Sequence, residues 1–441
     1  MSYSAAINQL NAMAPELYTR PGQPRRKFSL DEVRILLAAL GDPQRHIRSL
    51  LVAGTNGKGS TAATLASILT ASGVRTGLYT SPHLERVNER IRVDLAEISD
   101  DDFARLYFRV HDAAEKLVLA GRLPQHPSFF EVLTAQALLC FAEEKVELAV
   151  LEVGMGGRLD ATNVVDPLLS IITDISLDHT EWLGPTIAAI AREKAGILRR
   201  RGTLITLPQL PEANQVLGES VAELDLHLVN VEAFMPPMSA DVPASYPLEV
   251  MGAVINVASP LAGAHQHRNV ALAIAAAVEL ASVHGFPITP SSIAQGIRQT
   301  RWPGRLERIK TRGIEWILDV AHNPAGAWAL RSGLSGALGE NRPRFLIFSC
   351  LRDKPVAEMA QILFPLFDQV IFAPIHSARA TPMDELEAAA RAAGTSTLSA
   401  GSVGEAVQWA AERCSRGSVV VSGSVYLVGE VRSLLLAEGS I

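Results

Sequence analysis

The sequence contains few cysteines and no long apolar run. Its three cysteines, Cys140, Cys350 and Cys414, are far apart, odd in number and without CxxC spacing. Neither a disulfide framework nor a zinc site is therefore indicated, which fits a reducing compartment. No apolar run approaches the roughly 18 residues of a membrane-spanning helix, and the N-terminus lacks the basic start and apolar core of an export signal. We therefore expect a cytoplasmic protein that is not inserted in a membrane.

The chain also has no surplus of positive charge. There are 40 Lys and Arg residues against 46 Asp and Glu residues, which gives a formal net charge of -6. This balance argues against a nucleic-acid partner bound mainly through a basic surface. Short basic clusters at residues 25–27 and 199–201 are then most simply solvated charges in loops or at helix ends.

The length of 441 residues predicts more than one domain, because single cores stop growing at roughly 250 to 300 residues. Strands and helices alternate in residues 306–441, which predicts a second, doubly wound α/β domain. The segment TRWPGR at 300–305 has the Pro-Gly character of an interdomain joint, which leaves 1–299 for the first domain. Within it, residues 202–260 contain short Val, Ile and Leu runs broken by prolines, and we expect an edge of antiparallel strands there.

Residues 52–61, VAGTNGKGST, form a glycine-rich turn between a predicted strand and a predicted helix. Such a turn presents unpaired backbone N–H groups and the positive end of a helix dipole to an anion. Lys58 adds a charge, and Ser60 adds a hydroxyl that can bind magnesium. The spacing is shorter than the common pattern G-x-x-x-x-G-K-[ST], and Gly59 stands between Lys58 and Ser60. We therefore predict a shortened phosphate loop.

Polar side chains stand at the ends of three further predicted strands of the first domain. Ser81 and His83 follow one strand, where either metal ligation or turn capping explains them. Glu152 lies in the apolar run AVLEVG and must meet a cation, a metal or several donors, because an unpaired buried carboxylate is costly. Asp178 and His179 close the next strand. Open α/β sheets bind ligands at this edge, so we predict a metal site; its metal stays open, because Mg²⁺ prefers oxygen ligands to histidine.

Further candidate residues lie on a helix and in the second domain. Lys194, in REKAGI, is either a site residue or half of a surface ion pair. The motif LDVAHNP places Asp319, His322 and Asn323 at the end of a predicted strand, where ligand contacts from the second domain are expected. Arg305, in the joint, is placed to reach a phosphate from the opposite side of a cleft.

Eight motifs occur in the order expected of a known family. They are GTNGKGST, TSPHLERVNERI, LEVGMGGRLDATN, SLDHTEWLG, REKAGI, WPGRLERI, DVAHNP and SGSVYLVGEVR, and they span roughly residues 45–432. In these motifs the chain resembles folylpolyglutamate synthase and dihydrofolate synthase, members of the Mur ligase superfamily. The resemblance implies an α/β fold, with an N-terminal ATP-binding domain that carries the P-loop and a smaller Rossmann-like C-terminal domain. It also implies an ATP-dependent amide ligase.

The resemblance further implies roles for individual residues. The ATP contacts correspond to Gly54, Thr55, Asn56, Gly57, Lys58, Gly59, Ser60, Asn269, Arg305, Asp319 and His322. The ligands of one or two magnesium ions correspond to Ser60, Ser81, Glu152, His179 and Lys194, the last as a carbamate formed with carbon dioxide. The pterin or folate site corresponds to Phe130 and Asp160, the glutamate side to Ser424 and Tyr426, and the catalytic roles to Lys58, Lys194, His179 and Arg305. One position departs from the family: Asp174 stands where many relatives carry Asn, which adds a carboxylate near the metal region.

The implied reaction joins L-glutamate to a carboxylate of dihydropteroate or of a reduced folate at the expense of ATP, and we expect a monomer. Two alternatives remain open. A peptidoglycan Mur-type ligase shares the loop and the Lys194 chemistry, and a regulatory ATP-binding protein would lack ligase chemistry altogether. The motifs SPHLERVNERI and DHTEWLG favour the folate enzymes.

Overall fold

The computed structural model describes residues 2–13, 29–236, 244–311, 313–335, 338, 342–414 and 417–438. These residues form two α/β domains, each built around its own sheet. No helix in the described ranges is long and apolar enough to cross a membrane.

The structure describes only one of the two basic clusters that the sequence analysis interpreted as solvated charges. The cluster at 25–27 lies outside the described residues. In the cluster at 199–201, Arg200 and Arg201 are exposed, as predicted for solvated charges. The prediction is wrong for Arg199, because its half-buried guanidinium donates hydrogen bonds to the carbonyls of Ile197 and Val165, at 3.0 and 2.8 Å.

The first domain is organised around a large, mostly parallel sheet. Its strands are β1 (Arg48–Ala53), β2 (Thr76–Tyr79), β3 (Ile91–Val93), β4 (Ala96–Glu97), β5 (Leu148–Glu152), β6 (Ser170–Ile172), β7 (Thr203–Thr206) and β8 (His227–Asn230). Among the described residues their order is β4-β3-β2-β5-β1-β6-β7-β8. The six neighbouring strands β2, β5, β1, β6, β7 and β8 run parallel, whereas β3 and β4 form an antiparallel edge. Parallel neighbours need crossover connections, so helices cover both faces.

Two apolar layers sandwich this sheet. Leu51 and Leu151 face one layer, and Leu50 and Val150 face the other, because successive side chains of a strand point to opposite faces. The helices of the domain are α1 (Tyr3–Ala12), α2 (Leu30–Ala39), α3 (Lys58–Ala71), α4 (Asp100–Leu119), α5 (Phe129–Glu143), α6 (Thr180–Leu183), α7 (Ile187–Ala195), α8 (Pro211–Leu224), α9 (His265–Ser282) and α10 (Pro290–Gln299).

The prediction of an antiparallel edge over residues 202–260 is only partly correct. Strands β7 and β8 pair in parallel and extend the main sheet, with α8 as the crossover between them. Prolines at 208 and 211 end β7 and begin α8 rather than interrupt an edge strand. Antiparallel pairing occurs further on, in a separate hairpin of β9 (Tyr246–Val250) and β10 (Ala253–Val257).

The second domain has the predicted doubly wound architecture. Its strands are β11 (Glu307–Thr311), β12 (Ile314–Leu318), β13 (Arg344–Phe348), β14 (Gln369–Phe372), β15 (Thr397–Ser399) and β16 (Ser418–Ser422). Within the described part of the chain their order is β11-β12-β16-β13-β14-β15, and only β11 is antiparallel to its neighbour. Its helices are α11 (Pro324–Ser335), α12 (Val356–Leu363), α13 (Met383–Ala392), α14 (Val403–Arg413) and α15 (Val425–Glu438).

This topology sets the position of a ligand site. In the first sheet β1 is flanked by β5 and β6, and β2 lies beyond β5. The carboxyl ends of these parallel strands therefore meet at one edge, where open α/β sheets bind ligands.

Candidate active site

The predicted phosphate loop is the connection between β1 and α3. Gly54 and Gly57 take positive φ values of 151° and 88°. A Cβ at Gly54 would lie 1.8 Å from Thr173 Oγ1, and a Cβ at Gly57 would lie 2.2 Å from Asn269 Oδ1. Both the backbone conformation and the lack of space therefore require glycine at these two positions.

The first turn of α3 faces the same loop. The Lys58 ammonium donates hydrogen bonds to the carbonyls of Gly54 and Thr55, both at 3.2 Å, and so lies folded over the loop. At the next position, a Cβ on Gly59 would lie 2.9 Å from the indole nitrogen of Trp302. Gly59, the residue that separates this loop from the common pattern, thus allows the indole to pack on the start of the helix.

Glu152 ends β5 with its carboxylate in the site. The residue is only 4% exposed, and its Oε2 accepts a hydrogen bond of 3.1 Å from the backbone N–H of Ser81, at the end of the neighbouring β2. Burial raises the pKa of the Glu152 carboxyl, although the positive charges of Lys58 and Arg305 oppose this effect. The carboxylate therefore meets cations and a donor, as the sequence predicted.

His83 follows Ser81 and is held by an arginine rather than left free. Arg90 Nε donates a hydrogen bond of 2.9 Å to His83 Nδ1, and the Arg90 guanidinium lies 5.1 Å from the centre of the Phe129 ring. Burial, together with the Arg90 charge, lowers the pKa of His83 to about 3. His83 is therefore a neutral hydrogen-bond acceptor on the wall of the site.

Lys194 is buried, so its interpretation as half of a surface ion pair is wrong. Its side chain, on α7, donates a hydrogen bond of 2.6 Å to the Gly54 carbonyl, and the residue is 3% exposed. Burial, followed by the nearby Lys58 charge, lowers the pKa of Lys194 to about 7. The neighbouring Glu193 pairs instead with Arg158, at 2.9 Å.

His179 stands at the N-terminus of α6 with a left-handed backbone, at φ 50°. Burial lowers the pKa of its imidazole to about 4, so the ring is neutral and able to ligate a metal. The preceding Asp178 behaves differently. Burial alone would raise the pKa of Asp178, but contacts from His322 and the charges of His179 and Lys354 hold it well below its usual range.

The residues expected to hold a cation have suitable donor chemistry. Ser60 Oγ is buried and has no hydrogen-bond partner among the described residues, and it lines the same cavity as Glu152 and His179. No group of three or more His, Cys, Asp or Glu side chains in the described ranges forms a complete metal cage. A cation here would therefore also use water or ligand oxygens, which is how Mg²⁺ is commonly held.

The joint between the domains brings Arg305 into the site. Its guanidinium donates a hydrogen bond of 3.0 Å to the Gly304 carbonyl, and burial lowers the pKa of Arg305 against the opposing charges of Asp319 and Glu152. Asp319 in turn accepts hydrogen bonds of 2.9 Å from the backbone N–H groups of Leu306 and Ala321. Asp319 therefore fixes the backbone that carries Arg305.

Two residues of the second domain connect the domains directly: Asn323, a candidate from the motif LDVAHNP, and Lys354, which the sequence analysis did not single out. The Asn323 amide donates to Asn56 Oδ1 and to Asp178 Oδ2, both at 3.0 Å. The Lys354 ammonium lies 2.6 Å from Asp178 Oδ1, in an ion pair whose side chains are 4% and 8% exposed. The only sequence signal for Lys354 is its place after β13, the same strand-end position that identified the other polar residues.

Asp174 does not act as an additional carboxylate of the metal region. Its carboxylate forms a bidentate pair with Arg268, with distances of 2.9 Å to Nε and 2.6 Å to Nη2. Its backbone carbonyl accepts a hydrogen bond of 2.8 Å from the N–H of Thr55. Asp174 therefore supports the phosphate loop through its backbone and binds α9 through its side chain.

The two expected pterin-site residues lie in different places. The buried Phe130 ring packs against Tyr79, with 5.8 Å between ring centres, and borders the cavity. Asp160 is also buried, and its carboxylate accepts hydrogen bonds from the backbone N–H groups of Met155 and Thr162, at 2.9 and 3.0 Å. Asp160 therefore holds the wall of the cavity and is absent from its lining.

A cavity of about 860 Å³ between the two domains joins these residues. The predicted site residues that line it are Gly54, Thr55, Asn56, Gly57, Lys58, Gly59, Ser60, Ser81, Phe130, Glu152, His179, Lys194, Asn269, Arg305, Asp319, His322, Ser424 and Tyr426. Segments far apart in the sequence thus converge on one site. Its glycine loop, buried charges of both signs and apolar wall suit a ligand with phosphates, carboxylates and an aromatic body.

Comparison with known proteins shows which family the chain belongs to. A family profile described as "Mur ligase middle domain" matches residues 52–277, and one described as "Mur ligase, glutamate ligase domain" matches residues 304–425. The folylpolyglutamate synthase of Lacticaseibacillus casei is 36% identical over 425 residues, which cover 95% of this chain and 97% of the relative. The dihydrofolate synthase/folylpolyglutamate synthase of Bacillus subtilis is 34% identical over a match that covers 93% of this chain and 95% of the relative.

Solved structures agree over almost the whole chain. The Mycobacterium tuberculosis folylpolyglutamate synthase complexed with ADP and AMPPCP superposes with a TM-score of 0.87 at 32% identity, covering 98% of this chain and 99% of that one. Escherichia coli FolC in complex with DHPP and ADP superposes with a TM-score of 0.83 at 29% identity, and the match covers 100% of this chain and 99% of that one. The chain therefore belongs to the folylpolyglutamate synthase/dihydrofolate synthase family, whose members are ATP-dependent amino-acid ligases of the Mur ligase fold.

Proposed function

We propose that this chain adds L-glutamate to dihydropteroate, to the terminal glutamate of a reduced folate, or to both, through an acyl-phosphate intermediate. The observation that carries the proposal is the convergence of Lys58, Glu152, Lys194 and Arg305 in the cavity between the domains. All four charges lie beside a loop built to hold phosphates. Such an arrangement suits the transfer of a phosphoryl group to a carboxylate and then the attack of an amine.

In the first step, a carboxylate oxygen of the acceptor attacks the γ-phosphorus of ATP, and the bond to the β,γ-bridging oxygen breaks to release ADP. Lys58 and Arg305 neutralise the charge that spreads over the transferred oxygens; an arginine in such a role is worth on the order of 10³ to 10⁵ in rate. Ser60, Ser81, Glu152 and His179 would hold magnesium, which supplies further neutralisation of phosphate charge.

In the second step, the neutral amine of L-glutamate attacks the acyl carbon, loses a proton and expels inorganic phosphate as the amide forms. The acceptor's pterin would lie towards Phe130, in the part of the cavity supported by Asp160. Ser424 and Tyr426 border the cavity from the second domain, and we assign them to the incoming glutamate. Water must be kept out, because an acyl phosphate hydrolyses readily.

We also propose that Lys194 acts as a carbamate. The lowered pKa leaves much of its amine neutral near pH 7, and a neutral amine can attack carbon dioxide to form an N–C bond with the loss of one proton. The product is an anion. It would exchange a costly buried ammonium for a negatively charged group that helps hold the cation.

The domain division, location and oligomeric state are further proposals. We assign residues 1–299 to the ATP- and pterin-binding domain, 300–305 to the joint and 306–441 to the glutamate-side domain. The joint begins where α10 ends, at Gln299, which supports this division. A cytoplasmic monomer is compatible with three cysteines that are all buried and unpaired.

Glutamate-dependent ADP formation tests the proposed function. The purified chain is assayed with ATP, magnesium and L-glutamate, together with dihydropteroate, with tetrahydrofolate or with a UDP-muramoyl peptide. We expect ADP release with one or both pterin compounds and none with the muramoyl peptide. ADP release with the muramoyl peptide alone would establish a peptidoglycan ligase, and tight ATP binding without amine-dependent release would establish a regulatory protein.

A further inference from the structure

A second cavity, of about 840 Å³, lies at the other end of β1 from the phosphate loop. We call it the arginine cavity, because five arginines line it: Arg34, Arg45, Arg48, Arg122 and Arg199. Arg48 is the first residue of β1, whereas the phosphate loop follows its last residue. The arginine cavity shares no lining residue with the active-site cavity, so the catalytic chemistry does not account for it.

The carboxylates near the arginine cavity leave part of this positive charge uncompensated. Asp42 and Asp166 are the acidic residues of its lining. Asp42 lies 3.9 Å from Arg45, and Asp166, whose side chain is 95% exposed, lies 3.8 Å from Arg199. Both distances exceed that of a direct hydrogen bond. A third carboxylate, that of Asp31, lies outside the lining and pairs directly with Arg34 at 3.1 Å. The five guanidinium groups of the lining therefore exceed these three carboxylates by two charges.

Two of the arginines have contacts that restrict the motion of their guanidinium groups, although Arg48 is exposed. Arg199 donates hydrogen bonds of 2.8 Å to Asn163 Oδ1 and to the Val165 carbonyl. The Arg48 guanidinium lies 4.4 Å from the centre of the Phe286 ring. Fixed guanidinium groups lose less conformational entropy when they bind an oxyanion, so they form a better site than mobile surface lysines.

Like charges also oppose each other in the arginine cavity. Burial lowers the pKa of Arg199; Asp166 opposes this effect, and the like charge of Arg34 adds to it. A bound anion would relieve the repulsion between the two guanidinium groups. Guanidinium binds carboxylate and phosphate with two parallel hydrogen bonds, which makes these groups the natural ligands.

The floor of the arginine cavity is apolar. Ile35, Ile47 and Leu168 contribute to the lining between the arginines. The volume lies within the range of roughly 300 to 1,000 Å³ that is common for small-molecule sites. An organic molecule with an apolar body and more than one anionic group uses both features, whereas a single inorganic ion uses only the charge.

We propose that the arginine cavity is a second ligand site, which binds a small organic anion with two or more phosphate or carboxylate groups. The site is separate from the catalytic cavity and does not depend on the proposed reaction. Phosphate and carboxylate compounds share the chemistry that the arginines recognise, and two different probes distinguish between them.

Calorimetric titration tests the second site. The chain is first saturated with AMPPCP and magnesium, which fills the phosphate loop, and is then titrated with fructose 1,6-bisphosphate or with tricarballylate. We expect one further site per chain for at least one probe, with affinity that falls as salt is raised. The variant Arg34→Gln/Arg122→Gln should weaken this binding at least tenfold. Both side chains are exposed, so the variant should fold.

The matched control carries Arg391→Gln and Arg413→Gln, two arginines of α13 and α14 in the second domain. It should bind the probe as the unmodified chain does. Binding of the bisphosphate alone identifies a phosphate ligand, and binding of tricarballylate alone identifies a carboxylate ligand. The proposal is overturned if neither probe binds, or if the Arg34→Gln/Arg122→Gln variant and the control bind equally well.

Discussion

The cavity between the domains contains two polar clusters, and they differ in how completely their polar groups are paired with one another. In the first, formed by Ser60, Glu152 and Lys194, a buried hydroxyl has no partner among the described residues, and burial shifts both pKa values towards the neutral forms. In the second, formed by Asp178, Asn323 and Lys354, the side chains are paired within hydrogen-bonding distance.

The difference indicates that the two clusters have different roles. Buried polar groups in folded proteins are normally paired, so the unpaired Ser60 hydroxyl is the group of the first cluster that a bound ligand or cation would be expected to satisfy. The second cluster needs no ligand, and it joins the domains instead. It contacts the phosphate loop through Asn56 and the segment of His179 through Asp178. The second domain thereby contacts both the predicted phosphate loop and the segment that carries His179.

The largest effect is expected from removing the amine of the first cluster. Lys194→Ala should reduce ligase activity on the order of 10³-fold, as the loss of a preorganised electrostatic group commonly does, and added bicarbonate should not restore it. Steady-state ADP formation measures the loss. Arg192→Ala, an exposed position on the same helix, is the control and should remain active. Full activity of Lys194→Ala would refute the carbamate.

The second cluster is broken by Lys354→Met. The change leaves Asp178 buried without its cation, which costs 3–5 kcal/mol in typical cases; we expect about 3 kcal/mol, because Asn323 and His322 remain beside the carboxylate. Small-angle scattering should show a larger radius of gyration, and thermal unfolding should begin earlier. The control is Arg352→Met, an exposed neighbour. An unchanged scattering curve would show that the ion pair does not hold the domains together.

The pH dependence of the free energy of unfolding tests whether Lys194 of the first cluster is held in its neutral form. The pKa of Lys194 is lowered to about 7 in the folded chain, so between pH 7 and 9 the unfolded chain carries a proton that the folded chain has lost. Stability should therefore rise with pH, by about 2 kcal/mol over this range relative to Lys194→Met. Urea unfolding in CO₂-free buffer at the two pH values measures the difference. Parallel behaviour of the two proteins would contradict the lowered pKa.

The smallest effect is expected at the edge of the phosphate loop. Asp174→Asn removes a charge from the pair with Arg268 but keeps the backbone carbonyl that binds Thr55. Because the pair is partly exposed, we expect a change of about 0.5–1 kcal/mol, seen as a less than tenfold rise in the KM for ATP. Asp225→Asn, at an exposed position, should leave this KM unchanged. A large loss of activity would instead indicate that the Asp174 carboxylate takes part in the proposed metal site.

The sequence predicted those parts of the site that depend on local pattern. The glycine loop at 54–60 and Glu152 could be placed because strand ends and glycine spacing are visible within a few residues. Lys354 was missed, since its partner Asp178 lies 176 positions away. The pairing of Asp174 could not be predicted for a similar reason, as Arg268 lies 94 positions away.

The same limit applies to the fold. The alternation of strands and helices correctly predicted the second domain. In the first domain, the prolines within residues 202–260 predict an antiparallel edge, but those at 208 and 211 stand where β7 ends and the crossover helix α8 begins. The arginine cavity could not be predicted, because its arginines come from separate segments that only the tertiary fold brings together.

The packing of Trp302 on the start of α3 has a practical consequence. Its indole lies against Gly59, on the first turn of α3 beside the predicted phosphate loop, and the Arg92 guanidinium lies 5.4 Å from the centre of the ring. The emission of an indole depends on nearby charges and on its exposure to water. If nucleotide binds at the loop as proposed, we expect its arrival to change the fluorescence of Trp302, so that binding can be followed in real time without any added label; the sequence has five tryptophans, and the variant Trp302→Phe identifies the contribution of this one.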